Sequence, residues 1–329
     1  MENETRRRLA LFAGNAQSIK KEFKLHNNLT KRLAALLYAQ ENKPIDCEAI
    51  RQCYTLIKQN TGIFSTFRGN MALCVATFLS LKADPQGSFA ETLKVYNMLK
   101  DVKFHASDYL VVAAYQITAH IEPANYQNAV NRARAFYDGM KARHFFHTGQ
   151  DDYIYSAMLG LSDLDITTGT EHIEQLYARL KDEFWSKNSV QALAQVLVLG
   201  GSDDTAANRV LTLRNALKSQ KIKLAKTFTL PAMGVLALLP VETDSIVRDI
   251  NEAKQTLREE KGFGSFSVTS QEILLYAAGI VAGEYTENVK AGVLTAALST
   301  SITNIIIAQQ TAMIAAISAS SAAAASASS

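Results

Sequence analysis

The sequence predicts an all-α protein, an α-solenoid or α/α superhelix of about seven helix pairs with a period near 40 residues, and three observations carry that prediction. Apolar residues recur at i, i+3, i+4 and i+7 almost throughout, whereas the strict alternation of a half-buried strand is scarce. Two kinds of helical stretch alternate, one short and very apolar, the other longer and amphipathic with a charged face. A cation closes the amphipathic stretches at near-constant intervals, as expected for stacked units that cannot bury an apolar face alone.

Taken in order, residues 1–26 form an N-terminal capping helix. Its start, Met1 to Arg8, is charged and has no apolar core of the kind a secretory signal needs. Tandem helix pairs follow over 27–290. Their apolar members are Leu33–Ala39, Leu73–Leu81, Tyr109–Ile117, Tyr153–Leu161, Leu193–Leu199, Met233–Leu239 and Ile273–Ala282. The amphipathic members end on an apolar residue, a cation and then a large apolar residue. Six such endings occur: Ile57, Lys58, Ile63; Leu99, Lys100, Phe104; Met140, Lys141, Phe145; Leu180, Lys181, Trp185; Leu217, Lys218, Ile222; and Leu257, Arg258, Phe263. A cation there suits the carbonyl end of a helix, and the apolar residue after it is expected to fold under the last turn. Tyr54, Tyr96, Tyr137 and Tyr177 each precede their lysine by four residues and are expected in the core between repeats. Pro44, Pro85, Pro123 and Pro240 mark the turns, and Pro231 opens an apolar helix, where proline is tolerated.

The last segment, 291–329, carries no charge, in a chain that is 20% charged overall, and ends in Ala and Ser. Leu294, Leu298, Ile302, Ile305, Met313 and Ile317 fall at helical spacing. The preferred reading is a helix that closes the last repeat and lies along or inside the superhelix. An assembly helix that self-associates is one alternative and a membrane anchor another. Asn304, Gln309 and Gln310 in mid-segment argue against the anchor.

Composition excludes several functions. A net charge of +3, from 34 basic and 31 acidic residues, is too small to track a phosphate backbone, so no nucleic-acid partner is implied. Three cysteines, Cys47, Cys53 and Cys74, with no C-x-x-C, suit a reducing compartment and free buried thiols, which places the protein in the cytoplasm. Gly262, Phe263, Gly264 is too short for a phosphate loop, and neither the Walker lysine motif nor G-x-S-x-G occurs, so no cofactor is called for.

The candidate chemistry lies in one run. His144, His147 and Asp151, with Asp152 beside them, are an H-x-x-H set with a nearby carboxylate, the donor types that zinc or another divalent metal takes. The competing reading is a turn: Thr148 with Asp151 is a variant capping box, repeated by Thr269 with Glu272, and His144 suits a helix C-terminus. Asp163, Asp165, Asp203 and Asp204 read as helix caps. Lys218, Lys221, Lys223 and Lys226 form a basic run that either lies in solvent or meets an acidic partner, lipid or phosphate.

The runs His144–Asp163, HFFHTGQDDYIYSAMLGLSD, and Asn304–Ile317, NIIIAQQTAMIAAI, resemble a bacterial family known only as domain of unknown function four thousand and three (DUF4003). The likeness extends over most of the chain, with Phe145 standing where members often carry proline. The resemblance implies a bacterial origin and a helical fold, and it transfers no catalytic residue. The functional expectation is a helical-repeat scaffold or regulatory protein, not an enzyme, whose concave face binds a protein or peptide partner. The alternatives are an enzyme with a site inside the superhelix, metal-dependent through His144, His147 and Asp151, and a membrane-associated protein tethered by its tail.

Overall fold

The computed structural model describes residues 3–144, 147–201, 205–288 and 308, and among these residues there is no strand. Fourteen α-helices are described: α1 (Asn3–Glu22), α2 (Asn28–Gln40), α3 (Cys47–Gln59), α4 (Ala72–Ser80), α5 (Pro85–Asp101), α6 (Asp108–His120), α7 (Tyr126–Arg143), α8 (Tyr153–Leu161), α9 (Ile166–Leu180), α10 (Lys187–Leu199), α11 (Ala206–Ser219), α12 (Leu230–Leu238), α13 (Thr243–Glu259) and α14 (Ser270–Asn288). The even-numbered helices are the apolar stretches. In α12 every residue is buried, as a helix that is hydrophobic all round must be. The odd-numbered helices are amphipathic, and α3 buries only the stripe Ile50, Cys53 and Ile57.

Each apolar helix packs along the amphipathic helix before it, more extensively than against the one after it. α1 is therefore the amphipathic partner of α2. Neighbouring pairs then meet like with like. Among the amphipathic helices, α1 touches α3, α3 touches α5, and so on to α13, which touches α1. Among the apolar helices, α2 touches α4, α6 touches α8, and the order continues through α10 and α12 to α14, which touches α2. The remaining step, α4 to α6, is made by the stacked rings of Phe78 and Tyr115, 4.4 Å apart. Both series of contacts thus return to their starting helix.

The return depends on a specific seam. Phe12 of α1 is fully buried, with Phe263 at 5.1 Å and Tyr276 of α14 at 5.0 Å between ring centroids. Polar contacts flank these rings. Arg6 pairs with Glu252, Gln17 donates to the carbonyl of Lys261, and Arg32 binds Glu272 at 2.9 Å and the Ser267 carbonyl at 2.8 Å. Glu272 also completes the expected capping box, since its carboxylate accepts from the Thr269 N–H at 3.0 Å.

Pair packing places every amphipathic-to-apolar connection at one end, the long-connection end because four of these run to 9–12 residues, and every apolar-to-amphipathic turn, 4–6 residues long, at the other. Three of the six short turns cap their amphipathic helix with aspartate: Asp46, Asp84 and Asp165 each accept at 2.9 Å from a backbone N–H three residues on. Pro85 follows its cap directly, where its missing N–H costs nothing. At the other end, the repeated helix-closing signature has a geometric basis. After α5, Phe104 N–H bonds to Leu99 C=O at 3.1 Å, and Lys103 N–H to Lys100 C=O at 2.9 Å. After α11, Ile222 bonds to Leu217 at 2.9 Å and Lys221 to Lys218 at 3.0 Å. These are Schellman motifs, and Lys103 and Lys221 take the left-handed backbone at φ 71° and 57° that the motif requires.

Two endings depart from this expectation. Ile63 and Trp185 do not fold under their helices but stand exposed. No residue with positive φ follows α3 or α9, so neither chain reversal directs the intended side chain inward. Phe67 and Phe184 are buried instead. Phe263 is buried as expected, while Phe145, Asp203, Asp204 and the tail segment 291–329 other than Ala308 lie outside the described residues. Ala308 itself is helical and 3% exposed, beside Asp152 and Tyr155 of one repeat and Phe228 and Pro231 of another.

Phe12→Ala is expected to lower the unfolding free energy by about 3–5 kcal/mol. Leu25→Ala, at a fully exposed position, is expected to change it by less than about 0.5 kcal/mol. Urea denaturation of both variants checks this, and equal effects would mean that the seam carries no special share of stability.

Candidate functional site

The connection from α7 to α8 holds the sequence-predicted site. His144 ends α7, its N–H bonded to Met140 C=O at 2.8 Å, while its own carbonyl accepts from the N–H groups of His147 and Thr148, each at 3.0 Å. Its ring lies on Tyr177 at 4.2 Å, and Nε2 pairs with the Glu174 carboxylate. The His147 ring is 6.5 Å from that of His144 and 6.4 Å from Tyr177. Asp151 is held by the side-chain amide of Asn188. The two histidines thus both lie near Tyr177 while Asp151 is engaged by Asn188, and among the described residues no three His, Cys, Asp or Glu side chains converge as a metal-binding group.

The turn differs by one residue from the expected cap. A short 3-10 turn, Gln150–Asp152, precedes α8, so it is Asp152, not Asp151, that reaches back to accept from the Gly149 N–H at 2.9 Å. Asp152 is 2% exposed and also accepts from Gln195 at 2.7 Å and Gln191 at 3.1 Å. Gln191 further donates to Thr148 at 3.0 Å. Burial, and after it the negative charge of Asp151, pushes the Asp152 carboxyl up to about 7, against the hydrogen bonds that favour its charged form. Gln191 and Gln195 lie four apart on an otherwise apolar helix, which puts both amides on one face. That spacing was the available signal for their role; the Glu174 partner of His144 had none.

Beside this cluster, the same end of the molecule displays large apolar side chains. Leu25, Ile63, Phe64, Trp185 and Phe266 are the exposed large hydrophobics among the described residues, at 73–109% exposure. All five lie in connections from an amphipathic to an apolar helix and none in a turn from an apolar to an amphipathic one. The helix-closing cations Lys58, Lys100, Lys141, Lys181, Lys218 and Arg258 sit at this end too, as the carbonyl ends of the amphipathic helices favour. Three of them also cover their tyrosine, with Lys58 at 4.6 Å, Lys141 at 5.3 Å and Lys100 at 5.7 Å from the ring centroids of Tyr54, Tyr137 and Tyr96. Tyr96, Tyr137 and Tyr177 are buried, as expected of core residues.

The family model described as "Protein of unknown function (DUF4003)" matches residues 15–311. The chain belongs to the DUF4003 family. A Bacillus subtilis (strain 168) relative, "Uncharacterized protein YeaA", is 22% identical over 323 residues, covering 96% of this chain and 94% of its own. No solved structure matches the chain. The match begins within α1, takes in α2 to α14 and extends past Ala308, while Arg6 and Phe12 of the seam lie just before it.

The Asp152 cluster makes stability depend on pH in a defined sense. The folded carboxyl holds its proton to about pH 7, whereas an unfolded aspartate releases it near about pH 3.9. Between these values the folded state binds the extra proton, so its stability falls as pH rises through the interval. Thermal melts from pH 5 to pH 8 are expected to show a steeper loss for the wild type than for Asp152→Asn, and parallel profiles would remove the carboxyl as the source.

Proposed function

We propose that this DUF4003 protein is a non-enzymatic helical-repeat scaffold, a closed form of the α/α superhelix, that binds a protein or peptide partner on the end bearing its long connections. The observation that carries this reading is the confinement of Leu25, Ile63, Phe64, Trp185 and Phe266 to that end. Exposed apolar anchors among polar residues are the composition of an interaction surface. The apolar helices are buried nearly all round, so among the described residues they offer no open concave groove, and the partner surface moves from the inner face to this end. The cations of the same end favour an acidic partner, and the aspartate-capped short turns set the opposite end apart.

No described helix is long and apolar enough to cross a membrane, and the burial of Ala308 favours the tail as a structural element over an anchor or an assembly helix. The enzyme alternative draws no support from His144, His147 and Asp151, whose contacts are those of a helix end and its turn.

Tagged protein expressed at native level and crosslinked in cells tests the reading. The wild type and a short-turn variant, Glu122→Gln, are expected to retain the same partner, and Phe64→Ser with Phe266→Ser is expected to lose it without a change in melting temperature. Retention by the double variant would overturn the assignment of this face.

A further inference from the structure

Where α9 and α11 meet, the repeat breaks its own rule. At the earlier joints the aromatic that follows one amphipathic helix is buried against the tyrosine of the next. Phe67 lies 5.0 Å from Tyr96 and Phe104 lies 5.4 Å from Tyr137, measured between ring centroids. In α11 the position four before the closing lysine is not tyrosine but Arg214. Phe184 turns inward and is covered by the Arg214 guanidinium at 5.4 Å, while Trp185 is left 99% exposed. A cleft of about 390 Å³ opens at this joint, within the range of small-molecule sites, roughly 300–1,000 Å³.

Its floor is apolar, built from Phe184, Leu217, Ile222 and Met233, with Trp185 as a wall. Its rim is basic. Lys218, Lys221, Lys223 and Lys226 all line it and are exposed, and none is paired with a carboxylate among the described residues. The lining holds a single acid, Glu183, and that is already bound to Arg214 at 2.8 Å. The Schellman reversal after α11 holds Lys221 and Ile222 in place, so the cation at the rim and the apolar side chain at the floor share one rigid turn. An apolar body fits the floor, and only an anionic head answers four uncompensated ammonium groups.

We propose that this cleft is a binding site for an amphipathic anion, an alkyl or acyl chain ending in a carboxylate or phosphate. The site lies at the partner end argued above and shares Trp185 and Lys218 with it, but it is argued from the cleft and its rim and does not depend on that reading. The chain holds one tryptophan, so Trp185 emission reports the cleft directly. The full-length protein is titrated with dodecanoate, dodecyl phosphate, dodecanol and dodecyltrimethylammonium, each below its micelle threshold. The two anions are expected to give a saturable blue shift, with the alcohol and the cation weaker by about tenfold or more, the worth of one charge-assisted contact.

Lys221→Glu with Lys223→Glu is expected to weaken anion binding by a similar factor while the melting temperature stays unchanged, because both side chains are exposed. Phe64→Ser with Phe266→Ser is expected to leave it intact, which separates this site from the partner face. Equal response to the neutral alcohol, or indifference to charge reversal, would overturn the proposal. So would a shift seen with phosphatidylglycerol vesicles but not with the monomeric anions, since that would mean a charged surface is being read and not a ligand in the cleft.

Discussion

The architecture hinges on the burial of Phe12 between Phe263 and Tyr276. In an open stack of helix pairs the first and last units each leave one apolar face to water, and such arrays end in units with a polar outer face. Here α1 and α14 serve as each other's cover. Their contact joins residues some 250 positions apart in sequence, and the loop-closure entropy of that contact is met by the rings and ion pairs of the seam together with the packed pairs between them. Arg32 shows how the seam is braced. It reaches across to Glu272, which also caps α14 through Thr269, so one carboxylate orients the last apolar helix and ties it to α2.

The polarity of the molecule follows from helix chemistry. Amphipathic helices run from the short-turn end to the long-connection end, so aspartate caps gather at the first and cations at the second. The long connections have to reverse the chain after each amphipathic helix and enter an apolar one. Where a left-handed residue permits a Schellman reversal, the following apolar side chain is delivered to the core, as with Phe104 and Ile222. Where it is missing, after α3 and α9, the connection puts Ile63, Phe64 and Trp185 into solvent. These three exposed side chains are thus tied to an identifiable difference in backbone geometry.

Much of this was legible in the amino-acid order because its signals are local. The 3.6-residue periodicity, the alternation of apolar and amphipathic stretches, the prolines and the Leu-Lys endings each report on ten residues or fewer, and they located the apolar and amphipathic helices. Closure was not legible, since Phe12 and Tyr276 are unremarkable on their own helices, Phe263 reads as one more residue closing an amphipathic helix, and the three acquire their joint meaning only through long-range contact. The candidate site was half legible. The run from His144 to Asp152 was found, but the 3-10 turn that moves the capping role from Asp151 to Asp152 depends on Asn188 and on two glutamines of α10, a neighbour in space and not in the same run. Adjacent aromatics posed the same difficulty: nothing in the order Phe184, Trp185 says which of the two faces inward.

The series of helix pairs is informative chiefly where one joint departs from the others. The tyrosine before the closing lysine performs one task at successive joints, filling the space under the preceding aromatic and receiving the lysine on its ring. Substituting arginine at position 214 keeps a flat group over Phe184 but reverses the electrostatics, because a guanidinium repels the lysines that a tyrosine face would attract. Lys218 loses its aromatic seat, Glu183 is drawn to Arg214, and the neighbouring cations are left facing an apolar hollow. The backbone after α9 leaves Trp185 in solvent, and arginine at position 214 frees Lys218 from an aromatic seat, so two local departures together shape the cleft and its rim.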